Sequence, residues 1–310
     1  MADFDRPALV EFAQDSIARG SKSFRFASRL FDRTTRERVW LLYAWCRKCD
    51  DMADGQDHGG AMETVTDPQQ SLAAIRTLTA TALAGTPTGE PAFDCLGVVA
   101  RECGITARMA EDVIEGFALD AADWHPRRES DLYQYCYHVA GAVGVMMAVV
   151  MGVRADDDAT LDRACDLGLA FQLANIARDI AEDDAAGRCY LPDDWLAMLD
   201  IGPGEHMKPH NRKKLALMGR WLADEAEQYE ASARVGAANL PLRARWAVLS
   251  AAGIYGEIAR KVRAADAHAW DQRIFTSRPE KFRWVRKAFV DAVANNPRYM
   301  DRSNLWTRAR

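Results

Sequence analysis

Two stretches of the sequence carry aspartates at spacings that place them on one face of a helix. The first, residues 43–54, contains neither proline nor glycine, which favours a helix. A helix turns about 100° per residue, so positions i, i+4, i+7 and i+11 point within about 60° of one another. Those positions hold an aromatic ring, a guanidinium and two carboxylates: Tyr43, Arg47, Asp50 and Asp54.

The second stretch, residues 172–183, repeats this arrangement much later in the chain. Its polar residues again share one helix face, while Leu173, Ile176 and Ile180 point in other directions. The polar positions are Gln172, Asn175, Asp179 and Asp183. Two polar stripes of nearly equal spacing predict one cavity with acidic side chains on both walls.

Carboxylates that face each other repel unless a cation lies between them. Mg2+ prefers oxygen ligands, takes one or two carboxylates, and completes its coordination shell with water and substrate phosphate. The alternative is that each stripe is an ordinary solvated helix face. Because the two stripes occur together and arginines are interleaved with them, the pair favours a Mg2+ site that binds a phosphorylated substrate.

Four arginines are candidates for holding that phosphate. Arg47 and Arg178 lie within the two stripes, and Arg188 follows the second one in a glycine turn. The fourth, Arg273, lies in the segment 270–273. A planar guanidinium donates two hydrogen bonds at once, which suits phosphate. The alternative is that each is an ordinary salt-bridge partner of its acidic neighbours.

Tyrosines precede a helix rich in small residues, in the segment 133–144. Gly141 and Gly144 allow a neighbouring helix to approach closely. A tyrosine such as Tyr135, if it lies at the cavity, could stabilise a carbocation through its ring or pass a proton through its hydroxyl. Core packing is the alternative role for these tyrosines.

Composition narrows the function classes. The net charge of −5 disfavours a nucleic-acid binder, and the sequence has no dinucleotide-binding, Walker or hydrolase motif. A bound nicotinamide is therefore not expected. Seven cysteines and an acidic N-terminus favour free thiols in a reducing cytoplasm. The pair Cys46 and Cys49 predicts helix packing rather than zinc or redox chemistry.

No segment predicts a membrane span. The most apolar run, residues 139–153, has 15 residues, and a span needs about 20. A later helix combines Lys281, Arg283, Arg286 and Lys287 with Phe282, Trp284 and Phe289. That pattern is typical of an amphipathic surface helix, and docking to an anionic membrane surface is the alternative.

Helical periodicity between prolines and glycines covers nearly the whole chain, and no convincing strand pattern appears. The sequence therefore predicts an all-α protein with one domain over residues 1–310. The expected helices are 7–19, 24–30, 35–54, 69–84, 92–103, 107–121, 130–153, 158–184, 193–198, 210–235, 241–267 and 279–294.

These motifs resemble, in the expected order from about residue 15 to 285, those of the squalene/phytoene synthase family of head-to-head prenyl synthases. The matching segments are 20–24, 43–54 with its D-D-x-x-D, 135–144, 175–183 with N-x-x-R-D-x-x-E-D, 187–192, 241–255 and 270–273. The resemblance implies an all-α isoprenoid-synthase fold with helices around a central cavity. It also implies that two geranylgeranyl diphosphates condense through prephytoene diphosphate to phytoene.

The resemblance assigns roles residue by residue. Metal binding falls to Asp50, Asp54, Asp179 and Asp183, assisted by Asn175, with Mg2+ as the cofactor, Mn2+ as a substitute and no NADPH. Diphosphate binding falls to Lys22, Arg47, Arg178, Arg188 and Arg273, with Tyr43, Tyr190 and Tyr255 lining that region. Tyr135 would lie near the reacting carbons, with Phe24 and Gln172 on the cavity wall.

The family contains alternatives to the forty-carbon reaction. Gly20 stands where some relatives, notably those that use fifteen-carbon substrates, have histidine, and the sequence lacks a C-terminal membrane helix like that of eukaryotic squalene synthases. Both features favour the phytoene branch. The alternatives are a dehydrosqualene or squalene synthase that uses farnesyl diphosphate, a non-catalytic relative, and a class I terpene cyclase. Since substrate and product are apolar, we expect a cytoplasmic protein in loose contact with the membrane surface and with other carotenoid-pathway enzymes.

Overall fold

A computed structural model describes residues 4–20, 27–54, 68–122 and 124–309. These residues contain helices and no strand. The α-helices are α1 (Arg6–Gly20), α2 (Arg33–Asp54), α3 (Pro68–Leu83), α4 (Pro91–Cys103), α5 (Ala107–Ala121), α6 (Glu129–Cys136), α7 (Ala142–Val150), α8 (Asp158–Ala185), α9 (Asp193–Met198), α10 (Arg212–Gly236), α11 (Leu242–Ala265) and α12 (Arg278–Ala294). A π turn, Tyr137–Gly141, joins α6 to α7, and three short 3-10 turns are Pro209–Asn211, Ala237–Asn239 and Asp266–His268.

The chain divides into two compact units. One comprises Met1–Ala122 with Val145–Asp158, and the other comprises Asp123–Gly144 with Ala159–Arg310. The prediction of one domain over 1–310 stays a prediction. In the described part of the chain, no helix is both long and apolar enough to cross a membrane.

In the first unit, α2 is fixed by a cap and by its apolar face. Asp32 accepts hydrogen bonds from the backbone N–H and the hydroxyl of Thr35, which satisfies the first turn. Trp45 is fully buried and donates its Nε1–H to Thr79 of α3 at 3.2 Å. Cys46 and Cys49 are free thiols, and burial raises the pKa of Cys46 to about 12. The thiols thus belong to helix packing, as the sequence predicts.

In the second unit, α8 is packed closely against the segment around the π turn. A Cβ atom on Gly144 would lie 2.6 Å from the Ala164 carbonyl oxygen, and one on Gly141 would lie 2.9 Å from the sulfur of Cys165. A Cβ atom on Gly168 of α8 would likewise collide with the carbonyl oxygen of Ala140. The predicted close approach at Gly141 and Gly144 is confirmed, and any side chain at these positions would push the helices apart.

The predicted continuous helix 130–153 is wrong in one respect. The structure interrupts it with the π turn, in which one extra residue widens the helix. The π turn contains His138, which is buried, and Ala140, whose carbonyl meets Gly168. A single inserted residue leaves the apolar pattern on both sides intact, so periodicity alone does not reveal it.

The segment after α12 returns to the N-terminal half of α8. Arg302 pairs with Asp166, which is fully buried, through two hydrogen bonds of 2.8 Å. Arg308 pairs with Asp162 at 2.9 Å. The backbone N–H of Trp306 donates to the hydroxyl of Tyr229 at 3.2 Å. Buried ion pairs therefore anchor this segment to the helix that also carries the second aspartate motif.

Candidate active site

The first aspartate motif lies at the C-terminal end of α2. Arg47 donates to Asp50 at 2.8 Å and to Asp51 at 2.5 Å, so one guanidinium bridges two carboxylates. The side chain of Asp50 keeps 43% of its surface exposed, whereas that of Asp51 keeps 10%. Asp50 can therefore accept a further ligand while Arg47 holds it in place.

Tyr43 lies one turn before Arg47 on the same face. Burial raises the pKa of its hydroxyl, so the side chain stays a neutral hydrogen-bonding group. A Cβ atom on Gly20, at the end of α1, would collide with this hydroxyl. The lack of a side chain at Gly20 thus makes room for Tyr43.

The second motif lies near the C-terminal end of α8. Arg178 forms a two-pronged pair with Asp179, with one hydrogen bond of 2.7 Å, and Arg273 approaches the same carboxylate at 3.1 Å. Trp270 donates its Nε1–H to the carbonyl of Ala177 at 3.0 Å, which anchors the segment that carries Arg273. Two guanidinium groups therefore meet at one aspartate.

Asp183 lies one turn further along α8, and its environment disfavours the negative charge of its carboxylate. Burial and the nearby Asp179 carboxylate raise the pKa of Asp183 to about 6, although the Arg188 guanidinium lowers it. The turn that brings Arg188 near requires a left-handed conformation at Gly187, whose φ is 74°. The backbone N–H of Arg188 donates to the Asp183 carbonyl at 2.8 Å.

Tyr135 lies in a stack of three aromatic rings in the second unit. Its ring centroid is 5.2 Å from that of Trp124 and 4.9 Å from that of Tyr190, with nearly parallel planes. Tyr135 keeps only 4% of its surface exposed. The structure thus joins two tyrosines, Tyr135 and Tyr190, that are far apart in the sequence.

A second aromatic pair lies beside the α8 motif. Phe171 stacks on Tyr255 with centroids 4.3 Å apart, and Tyr255 is 37% exposed. Gln172 and Asn175 are partly exposed, while Leu173, Ile176 and Ile180 are buried, so the predicted polar stripe of α8 is confirmed. The carboxamides of Gln172 and Asn175 place neutral oxygen atoms on the same stripe as the carboxylates.

The donor set of α8 fits Mg2+. Burial, and after it the Asp179 carboxylate, raises the pKa of Asp183, so a cation bound there would favour its ionised form. No group of three or more His, Cys, Asp or Glu side chains in the described ranges could hold a metal ion. Mg2+ typically uses one or two carboxylates and takes its other ligands from water and substrate phosphate. Asp179 and Asp183, with Asn175, would supply the protein ligands on this helix.

Some predicted residues lie outside the described part of the chain. They are Lys22, Phe24 and the side chain of Asp54. Other contacts were missed by the sequence analysis: Asp51 as a partner of Arg47, and Trp124 and Phe171 in the two aromatic stacks. The spacing of Asp51 from Arg47, four residues, could have revealed the first of these contacts. No sequence signal connects Trp124 with Tyr135.

Comparisons with known proteins agree with this geometry. The family model "Squalene/phytoene synthase" matches residues 17–280. A phytoene synthase from Pseudescherichia vulneris is 47% identical over 307 residues, which cover 98% of this chain and 99% of the relative. A 15-cis-phytoene synthase from Pantoea ananas is 46% identical over 308 residues, with the same coverage.

Solved structures show the same fold. A dehydrosqualene synthase in complex with ligand superposes with a TM-score of 0.81 at 26% identity, covering 94% of this chain and 98% of that one. A squalene synthase from Alicyclobacillus acidocaldarius gives a TM-score of 0.74 at 21% identity, covering 86% and 97%. The chain belongs to the squalene/phytoene synthase family. The predicted family and the predicted all-α isoprenoid-synthase fold are confirmed.

Proposed function

We propose that this chain is a phytoene synthase that joins two geranylgeranyl diphosphates head to head. The observation that carries the proposal is the match of 44–47% identity, over at least 93% of the chain, to four bacterial proteins named phytoene synthase. The chain has an aspartate at each of the four positions that the family uses for metal, Asp50, Asp54, Asp179 and Asp183. A non-catalytic relative would be expected to have lost some of them.

The reaction begins when the bond between carbon and diphosphate breaks in one substrate molecule. The electron pair leaves with the diphosphate, and the allylic cation is captured by the double bond of the second molecule to give prephytoene diphosphate. Loss of the second diphosphate and rearrangement then give phytoene. Two diphosphates and two protons are released in all, and no reductant is consumed.

The charged residues of each aspartate helix assist the departure of diphosphate. Mg2+, when bound, supplies positive charge that stabilises the leaving group. Arg178 and Arg273 hold Asp179 in one orientation, and Arg47 does the same for Asp50. These guanidinium groups also provide N–H donors for phosphate oxygens, which gain charge as the bond breaks.

The aromatic stack protects and stabilises the carbocation. The ring of Tyr190 would present an electron-rich face to the cation, and Tyr135, stacked against it, would hold that ring in place. Stacking on Trp124 fixes the plane of the Tyr135 ring, so its position does not depend on the substrate. Exclusion of water by such rings prevents hydrolysis of the cation to an alcohol.

The experiment is product analysis of the purified chain with Mg2+ and no NADPH. Geranylgeranyl diphosphate is supplied in one reaction and farnesyl diphosphate in a parallel one, and the extracts are read by mass spectrometry. We expect a forty-carbon hydrocarbon from the first reaction and its loss on addition of EDTA. A thirty-carbon product from the second reaction alone would refute the proposal.

That outcome would favour the second candidate, a thirty-carbon synthase. Its support is the structural likeness to the dehydrosqualene synthase, at 26% identity over 94% of the chain. The lower identity makes it the weaker candidate. Failure of both reactions would favour the non-catalytic alternative.

Two further expectations belong to this proposal. The substrate tails and the product are apolar, so the enzyme works at a membrane surface without a spanning helix. Other enzymes of the carotenoid pathway, which would take up a product that dissolves poorly in water, are expected partners. No nucleic acid is expected to take part.

A further inference from the structure

One face of α12 exposes a stripe of large apolar side chains. Those side chains are Phe282 (64% exposed), Phe289 (46%), Val290 (65%) and Val293 (58%). Their spacing of i, i+7, i+8 and i+11 places them along one side of the helix. Nine large hydrophobic residues are exposed in the described part of the chain, and six of them lie between positions 275 and 299. The exposure is therefore concentrated rather than scattered.

Packing does not explain the stripe, because another face of α12 is the one that packs. Ala288 and Ala292 are buried in a cluster with Leu249 and Trp246. Trp246 also donates its Nε1–H to the carbonyl of Val285 at 2.9 Å. The helix is thus held firmly from one side. Phe289 borders that side, since its ring lies edge-on to Trp246 with centroids 5.1 Å apart, whereas the other three stripe residues each keep more than half of their surface exposed.

The net charge of α12 is positive, whereas that of the whole chain is negative. The helix has five basic and two acidic residues, whereas the net charge of the chain is −5. Glu280 pairs with Lys261 at 2.7 Å, and Asp291 pairs with Lys287 at 3.0 Å. Within the described ranges, exposed Arg286, which lies inside the stripe, forms no ion pair, and neither does exposed Arg278. The acids are neutralised, and basic side chains remain beside the apolar ones.

We propose that this face of α12 docks the enzyme onto an anionic lipid surface. Apolar rings and branched chains enter the boundary between headgroups and acyl chains, while arginines bind lipid phosphates. The inference rests on the proposed function, because a hydrocarbon product has to be delivered into a bilayer. It adds the surface of the protein that makes the contact.

A second copy of the chain is a poorer occupant of this face. Four partly exposed side chains of this size offer on the order of 400 Å², whereas a stable interface buries about 800 Å² on each partner. In a two-fold dimer formed through the stripe, Arg286 would also face the same residue of the other copy. Repulsion between like charges then opposes association.

The test is cosedimentation of the purified full chain with vesicles. One set contains phosphatidylcholine alone, and the other contains phosphatidylcholine with phosphatidylglycerol. We expect clear binding to the second set and weak binding to the first. Phe282→Ser with Val290→Ser should weaken binding to the anionic vesicles about tenfold or more. Arg286→Glu should weaken it about tenfold while leaving the weak binding to phosphatidylcholine unchanged.

Matched controls lie on other helices. Met198→Ser removes a side chain that is 69% exposed on α9, and Arg108→Glu reverses an exposed charge on α5. Both controls should bind anionic vesicles as the unmodified chain does. Because the substituted side chains are exposed, all variants should keep the far-ultraviolet circular dichroism of the parent. Turnover of detergent-dispersed geranylgeranyl diphosphate should also be kept.

Two results would overturn the inference. One is equal vesicle binding by the stripe variants and the parent, or none by the parent. The other is a concentration-dependent dimer in sedimentation velocity that the stripe variants abolish, because it would make a second copy the occupant. Vesicle binding without any prenyl transfer would instead refute the proposed function and leave the docking face standing.

Discussion

The two aspartate helices balance their charge in opposite ways. On α2, the guanidinium of Arg47 bridges Asp50 and Asp51. On α8, Arg178 and Arg273 both meet Asp179, yet Asp183 one turn later keeps a pKa raised to about 6. Within the α8 motif, burial and the neighbouring Asp179 thus disfavour the ionised form of Asp183.

The position of Asp183 supports the proposal that it binds an external cation. It lies in the last turn of α8, where the helix dipole places partial negative charge. Burial removes the water that would otherwise screen it. We infer that Asp183 depends more on a metal ion than Asp50 does.

The largest expected effect comes from removing either carboxylate. Asp50→Asn and Asp183→Asn should each lower turnover about a thousandfold or more, since metal and diphosphate lose a ligand. The two substitutions should have opposite effects on the free energy of unfolding of the metal-free protein at neutral pH. Folding raises the pKa of the Asp183 carboxyl group, so its ionised form destabilises the folded state at neutral pH. Asp183→Asn removes that charge and should increase the free energy of unfolding by about 1–2 kcal/mol. Asp50→Asn should lower it by about 0.5 kcal/mol.

Turnover and urea unfolding of the metal-free variants check both parts. Circular dichroism of both should stay helical, which separates lost chemistry from lost structure. Near-normal turnover in either variant would contradict the metal assignment. Destabilisation by Asp183→Asn would show that its charge is already balanced within the protein.

A second variant separates the structural acids of α8 from the chemical ones. Arg302→Met leaves Asp166 fully buried with only the hydroxyl of Ser232 as a partner, so we expect a loss of about 2–3 kcal/mol in unfolding free energy. Asp166 and Asp179 are 13 residues apart on α8, or about 20 Å. Turnover per folded molecule should therefore stay within about twofold of the parent.

The matched control is Arg298→Met, which removes an exposed arginine from the same segment. It should change the free energy of unfolding by less than about 0.5 kcal/mol. Denaturant titration and steady-state kinetics are the measurements. If Arg302→Met lowered turnover as strongly as the aspartate variants do, the ion pair at Asp166 would affect catalysis at the other end of α8, which contradicts the prediction.

Much of the fold could be predicted because prolines and glycines end most helices. The predicted bounds of α2, 35–54, and of α8, 158–184, differ from the observed ones by two residues or fewer. The π turn could not be predicted, because it adds one residue without changing which residues are apolar. Its position beside Gly168 depends on packing between segments far apart in the chain.

The site was predictable where its residues belong to one helix. Spacing alone places Asp179 and Asp183 on one face, since i and i+4 coincide in any helix. Contacts between separate elements carry no such rule. The stacking of Tyr135 between Trp124 and Tyr190 therefore needed the structure, as did the approach of Arg273 to Asp179. The resemblance had named Tyr135 and Arg273 without their partners.

The dependence of metal binding on pH tests the raised pKa of Asp183 directly. The pKa of Asp183 in the folded state, about 6, lies above the ordinary value of 3.8. The folded state therefore holds the proton more tightly, and the metal-free protein loses stability as pH rises through that interval. Mg2+ binds the ionised carboxylate. The apparent affinity of the protein for Mg2+ should therefore be about tenfold lower at about pH 5 than at about pH 7, and Mg2+ should stabilise the fold less at the lower pH.

Thermal unfolding with and without Mg2+, repeated across that range, is the measurement. The Asp183→Asn variant is the control, and its response to Mg2+ should be small at every pH. An equal Mg2+ effect at both ends of the range in the parent would mean that Asp183 does not control binding.

The smallest expected effect compares the arginines of the two helices. Arg47→Lys replaces a fork that bridges Asp50 and Asp51 with a single ammonium, which cannot hold both carboxylates in the same geometry. Arg273→Lys alters a side chain that is 58% exposed, and Asp179 keeps its pair with Arg178. We expect KM for geranylgeranyl diphosphate to rise about tenfold for Arg47→Lys and about threefold for Arg273→Lys. A larger rise in KM for Arg273→Lys than for Arg47→Lys would contradict this comparison. It would mean that substrate binding depends more on the geometry of Arg273 at Asp179 than on the bridge that Arg47 forms between Asp50 and Asp51.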